Sequence, residues 1–157
     1  FGISDYFTMK PLPKIGMSLQ LSTEHQSIRW LGLGPHENYP DRKSGARMAF
    51  HESSIDDLHT SYIRPQENGN RTDVHQIQIG DMVIKGFNLN MSAHNYTLGN
   101  LTKAEHTIDL QKADYVTLNV DHKTAPVGGC SFEYNYRDEY LLTAKEYSYE
   151  FTINPTH

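Results

Sequence analysis

Ile15-Gly16-Met17-Ser18-Leu19-Gln20-Leu21 alternates apolar with polar or small residues without a break. A period of two sets one side of an extended chain on a core and the other in solvent, so this stretch predicts a strand. The same pattern returns in Val74-His75-Gln76-Ile77-Gln78-Ile79, across residues 115–120, and in Tyr147-Ser148-Tyr149-Glu150-Phe151-Thr152-Ile153. Between these runs lie Gly32-Leu33-Gly34-Pro35, Asn68-Gly69-Asn70, Gly80-Asp81, Gly99-Asn100 and Val127-Gly128-Gly129. Glycine and asparagine take positive φ there at little steric cost, which marks turns. Strands and turns at this spacing argue for an all-β, antiparallel β-sandwich. Residues 53–58 and 92–101 are the segments able to form a short helix, and neither carries a sustained 3.6-residue apolar stripe.

At 157 residues the chain fits one domain spanning 1–157, and a domain of this size buries roughly 70% of its unfolded surface. The hydrophobic fraction is 37%, but ten Tyr, six Phe and one Trp supply large apolar faces with polar handles. A formal charge of −5, without a long run of Lys and Arg, argues against nucleic acid as a partner. The sequence lacks an apolar run near the roughly 20 residues of a spanning helix, so no membrane partner is expected. Cys130 is the single cysteine, which excludes an internal disulfide and points to a reducing, cytoplasmic compartment. Asn70, Asn90, Asn95 and Asn100 each open an Asn-x-Ser/Thr triplet, which would mark surface loops in a secreted protein; coincidence in an Asn- and Thr-rich chain is the simpler reading. The start at Phe1, with Pro11-Leu12-Pro13 close behind, reads as a segment cut from a longer chain.

Two long connections interrupt the strands, from about residue 32 to 72 and from about 124 to 137. Connections beyond about 12 to 15 residues in a compact domain are commonly functional or interface-forming, so recognition is expected there.

The first connection contains Trp30-Leu31-Gly32-Leu33-Gly34-Pro35-His36-Glu37-Asn38-Tyr39-Pro40-Asp41-Arg42. It also contains Tyr62-Ile63-Arg64-Pro65-Gln66-Glu67-Asn68-Gly69-Asn70-Arg71. Together they resemble the C-terminal small-chain domain of family 2 β-galactosidases, in its Trp, Gly-x-Gly-Pro, Glu-x-Tyr, Asp-Arg pattern and its Tyr-x-x-Pro-x-Glu-Asn-Gly-x-Arg element. Weaker likeness, in Leu12-Pro13-Lys14-Ile15-Gly16, in Gly128-Gly129 and in Glu139-Tyr140-Leu141 with Tyr147-Ser148-Tyr149, extends it over residues 11–153.

The resemblance implies a galactose-mutarotase-like supersandwich, of which this chain is the latter part. It also implies a division of labour. A separate (β/α)8 catalytic domain or large subunit carries the two glutamates of a retaining β-galactoside hydrolysis. The small chain covers the mouth of that barrel and helps to shape the β-galactoside pocket. On this reading the segment has no catalytic residues and no metal site, and is inactive alone; a Mg2+ ion would belong to the parent enzyme. The alternative is a free-standing carbohydrate-binding sandwich, favoured by 11% aromatic residues and long polar loops. An aldose epimerase is a third possibility, but no His and Glu pair here sits in that family's motif.

Glu37 and Asp41 are the candidates for a carboxylate pair; beside Arg42 and Arg47, in a Gly-Pro-flanked loop, they read as loop-holding acceptors instead. Trp30 reads as a core or loop anchor. Tyr62, Arg64 and Glu67 either contact the barrel or cap a surface hairpin. The nine histidines lack a ligand spacing and read as scattered surface residues. Where the family has Gly-Gly-Asp-x-x-Trp, with a pocket tryptophan, this chain reads Gly128-Gly129-Cys130-Ser131-Phe132-Glu133-Tyr134. With one residue missing from the loop, Phe132 takes the aromatic position, Ser131 lies beside it, and Tyr134 is the next candidate for stacking on the sugar. The rival reading packs Phe132 in the core.

Overall fold

The computed structural model describes residues 11–128, 137–144 and 146–156. The strands are β1 (Lys14–Leu21), β2 (Ser27–Gly34), β3 (Arg47–Ser54), β4 (Arg71–Ile79), β5 (Met82–His94), β6 (Val116–Thr124) and β7 (Phe151–Pro155). Two short helices, α1 (Ile55–Leu58) and α2 (Leu98–Lys103), interrupt them. The strands pair antiparallel in the order β1-β6-β5-β4-β2-β3, and β7 joins on β5. The architecture is thus all-β and sandwich-like, as the alternation predicts.

Period-two burial builds the core. On β2, Ile28 and Trp30 point inward while Arg29 stays exposed; they lie beside Ile79 and Ile77 of β4. On β6, Val116, Leu118 and Val120 are fully buried. Ile84, Leu89, Met91 and Ala93 of β5 complete the same cluster. Each large aliphatic side chain buried this way contributes roughly 1.5–3 kcal/mol relative to exposure. α1 closes one side: Ser54 Oγ caps it by accepting from the Asp57 N–H at 3.1 Å, and Ile55 and Leu58 pin it to the core.

β5 is shared along its length. Its first part, Met82–Gly86, pairs with β7, and its last part, Asn90–His94, pairs with β6. The register against β4 shifts between these parts, and Asn88 there takes φ +52°; Asp73 of β4 takes φ +53° at a second shift. Asn and Asp tolerate this conformation, and such bulges re-aim a strand. One strand can thereby serve two neighbours on one edge.

Several expectations are corrected. The connection from residue 32 to 72 is not one loop: Trp30, Gly32 and Gly34 lie in β2, and β3 and α1 occupy its middle. Their outward faces are partly apolar, which hid the alternation. Ser92, Ala93 and His94 are the buried end of β5, and the helix begins only at Leu98, where Thr97 Oγ1 accepts from the Asn100 N–H at 3.0 Å. The last strand starts at Phe151, not Tyr147, because its partner segment on β5 ends at Gly86. Gly34 lacks a positive φ; it is needed because a Cβ there would lie 2.9 Å from both the His51 and Trp30 rings.

Candidate functional site

The chain between β2 and β3 and the chain between α1 and β4 fold against each other. Glu37 is their meeting point. Its Oε1 accepts from the Tyr62 hydroxyl and from Arg42 Nη2 at 2.6 Å, and its Oε2 accepts from the Gly69 N–H at 2.8 Å. Burial pushes the Glu37 carboxyl up, but the hydrogen bonds from Tyr62 and Gly69 and the Arg42 charge outweigh it and hold the group below its ordinary range. Gly69 sits at φ +73°, and a Cβ there would lie 2.7 Å from the Leu58 carbonyl, so glycine alone fits.

Arg71 ties three segments together from a buried position. It donates to the carbonyls of Pro35 at 2.9 Å, Leu58 at 3.1 Å and Gly69 at 2.6 Å, and its guanidinium lies 5.5 Å from the Trp30 ring centroid. Burial pulls its pKa down to about 10, which leaves it charged at neutral pH. Trp30 is a core anchor, 1% exposed, with Nε1 donating to the Leu33 carbonyl at 3.2 Å.

Asparagines do the remaining bracing. Asn38 Oδ1 accepts from both the N–H and the hydroxyl of Thr72, at 2.8 and 2.7 Å. Asn68 Oδ1 accepts from the Thr60 N–H at 2.8 Å, with Pro65 buried nearby in sequence. Tyr39 is buried under the Arg42 guanidinium; burial, then the Glu37 charge, raises its phenol above the ordinary range.

Asp41 reaches across the molecule. Its two carboxylate oxygens accept from the backbone N–H groups of Val127 and Gly128, at 3.1 and 2.8 Å. The first long connection therefore holds the root of the second. Ser131, Phe132 and Tyr134 lie outside the described residues. His36, Glu37, Asp41, Arg42, Tyr62 and Arg71 line an open cleft of about 740 Å³.

The structure thus brings Trp30, Pro35, Glu37, Tyr39, Arg42, Tyr62, Asn68, Gly69 and Arg71 into one cluster, and sends two other residues elsewhere. Arg64 is exposed, and Glu67 turns away to pair with Lys14 at 2.6 Å. Arg47 is exposed at the start of β3, and the pairing of Glu37 is with Arg42.

Sequence reasoning missed a buried polar set. Asn70, Asn90 and Asn95 are 4%, 6% and 5% exposed and hydrogen-bonded, so these triplets do not mark surface loops. His94 is 3% exposed, against the expectation of surface histidines, and burial holds its pKa down to about 4. The available signal was polar residues inside strands, such as Asn119 between Leu118 and Val120. Among the described residues no group of three or more His, Cys, Asp or Glu side chains is placed to hold a metal ion.

The family described as "Beta galactosidase small chain" matches residues 3–153. A β-galactosidase of Vibrio cholerae is 40% identical over 147 residues, covering 92% of this chain and 14% of that protein. Those of Pseudoalteromonas haloplanktis and Priestia megaterium are 39% and 38% identical, over 93% and 94% of this chain. The chain spans 14 to 15% of the length of these relatives. A match along nearly the whole sequence, with both motif blocks meeting in one hydrogen-bonded cluster, places this chain in the β-galactosidase small chain family.

Proposed function

We propose that the chain is the non-catalytic small-chain part of a β-galactosidase and works with a (β/α)8 module that supplies both glutamates of a retaining hydrolysis. The carrying observation is that the acidic residues of the motif are already committed. Glu37 is occupied by Tyr62, Arg42 and Gly69, and Asp41 by Val127 and Gly128. A general acid needs a carboxyl free to meet the leaving-group oxygen, and a nucleophile needs one free to reach the sugar. Neither carboxylate has that freedom.

On this reading the motif cluster is a brace. Asp41 fixes the backbone at Val127 and Gly128, and so sets where the chain that follows, with Ser131, Phe132 and Tyr134, presents itself to a β-galactoside in the partner module's pocket. Any Mg2+ is held by that module, and the enzyme resides in the cytoplasm.

The test is turnover of a chromogenic β-galactoside by this chain alone and by the longer protein. The chain alone is expected to be inactive. Turnover that purifies with the chain and vanishes in Glu37→Gln would overturn the reading.

A further inference from the structure

Asn68-Gly69 is the one Asn-Gly pair in the sequence. In a flexible chain such a pair is chemically labile, because glycine has no Cβ to keep its nitrogen away from the preceding side chain. The Gly69 nitrogen gives up its proton to a solvent base and attacks the Asn68 carboxamide carbon. As that N–C bond forms, the bond from the carbon to Nδ2 breaks, and ammonia leaves with a proton from water. Water then opens the cyclic imide at either carbonyl, to aspartate or to isoaspartate. Water is consumed and ammonia released in equal amounts, with no redox partner.

The folded cluster withholds what each step needs. The Gly69 N–H donates to Glu37 Oε2 at 2.8 Å, and a carboxylate at that distance disfavours the negative charge that deprotonation puts on the nitrogen. The carboxamide must swing towards that nitrogen, yet both of its ends are held. Oδ1 accepts from the Thr60 N–H at 2.8 Å, and Nδ2 donates to the Gln66 carbonyl at 2.9 Å and lies 3.3 Å from His59 Nδ1. The main chain is tied on both sides as well: the Asn68 carbonyl lies 2.9 Å from His94 Nε2, and the Gly69 carbonyl accepts from Arg71 Nη1 at 2.6 Å. Asn68 is 1% exposed and Gly69 is buried, which keeps water and base out.

The product does not fit the cluster that held the reactant. An aspartate at position 68 points a carboxylate oxygen at the Gln66 carbonyl, where Nδ2 donated, and adds a buried negative charge next to the N–H that Glu37 holds. An isoaspartate adds a methylene to the main chain and moves the Gly69 N–H off Glu37.

We propose that Asn68-Gly69 is a deamidation site which the Glu37 cluster holds shut, and that opening of the cluster lets it react, so that a reversible local unfolding becomes permanent. The inference goes beyond the proposed function and is independent of it, since it requires only the chemistry of the pair and the hydrogen bonds around it.

The experiment incubates the full-length protein at mildly alkaline pH and follows position 68 by peptide mapping and mass spectrometry, which count aspartate and isoaspartate. In native buffer the parent is expected to react at least about a hundredfold more slowly than in unfolding urea, because only local opening exposes the pair. In native buffer Glu37→Gln should react about tenfold faster than the parent, and Tyr62→Phe, which keeps the ring but removes one donor to Glu37, about fivefold faster. Tyr62→Phe, at a half-buried position, carries the test should Glu37→Gln fail to fold. Ile84→Val loosens the core at the pairing of β5 with β4 and β7, away from the cluster, and should react at the parent's rate. Three results would overturn the inference: position 68 reacts as fast in native buffer as in urea, the cluster variants that fold match the parent, or Ile84→Val matches Tyr62→Phe. A urea midpoint for Asn68→Asp equal to the parent's would do so too, because the change would then leave the cluster intact.

Discussion

Glu37 accepts three hydrogen bonds with two oxygens, one from Arg42 of its own connection and two, from Tyr62 and Gly69, from the connection between α1 and β4. Glu37→Gln keeps the volume, removes the charge and turns one oxygen into a donor that faces the Gly69 N–H or the Tyr62 hydroxyl. We expect a loss of about 1–3 kcal/mol in stability at neutral pH, read from the urea midpoint. The sign of its pH dependence follows from the lowered pKa. A carboxyl held below its unfolded value contributes stability above that value, and the contribution disappears as pH falls through the folded pKa. The gap between parent and Glu37→Gln should therefore close on acidification. Gly69→Ala combines a positive φ with a contact of 2.7 Å to the Leu58 carbonyl; its melting temperature should fall clearly below the parent's. A melt equal to the parent's would show that the loop relaxes freely.

At the scale of elements, β2 and β3 meet closely around Gly34, where ring atoms of His51 and Trp30 leave no room for a methyl. Gly34→Val should destabilise by about 1–3 kcal/mol through overpacking. The measurement is again unfolding in urea, with Gly45→Ala as control because a Cβ at Gly45 would meet its nearest neighbours only at 3.5 Å. α2 spans six residues and depends on its cap, in which Thr97 Oγ1 accepts from the Asn100 N–H. Thr97→Ala should cost about 1 kcal/mol and raise amide exchange in Leu98–Lys103. β5 is the element on which the others converge, because β4, β6 and β7 all pair with it. The bulge at Asn88 is what lets β6 and β7 occupy successive parts of it.

For the whole molecule, buried titratable groups pull stability in opposite directions with pH. Burial lowers His94 to about 4, so between that value and its ordinary one the unfolded chain binds the extra proton and stability rises with pH. Burial, aided by Glu67 and opposed by Lys14, raises Asp121 to about 6, so between its ordinary value and 6 the folded protein binds the extra proton and stability falls with pH. Asp121→Asn keeps the side chain neutral at every pH. Its stability relative to the parent should therefore increase as pH rises through about 6, in urea midpoints measured at pH 5 and 7.5. A constant difference would mean that Asp121 titrates as an exposed carboxyl does.

The sequence by itself determined the all-β class, the loop-holding role of Glu37, and the family, because period-two alternation and a run of Gly, Pro, Asn and Asp at fixed spacing are local properties of a chain. It also set Trp30 as an anchor, since a lone Trp in such a run has few other places to go. Only the tertiary structure decided the rest. β3 has an outward face bearing Met48 and Phe50, so its alternation is blurred, and β5 is interrupted by a bulge that no local pattern announces. The contact of Asp41 with Val127 and Gly128 joins residues some 86 positions apart, and the row of Gln20, Thr117 and His94 exists only once three strands are in register. Burial of Asn119 and His94 is likewise decided by what packs over them. Local periodicity encodes which face of a strand turns inward; it does not encode which distant polar groups meet on the face that turns away.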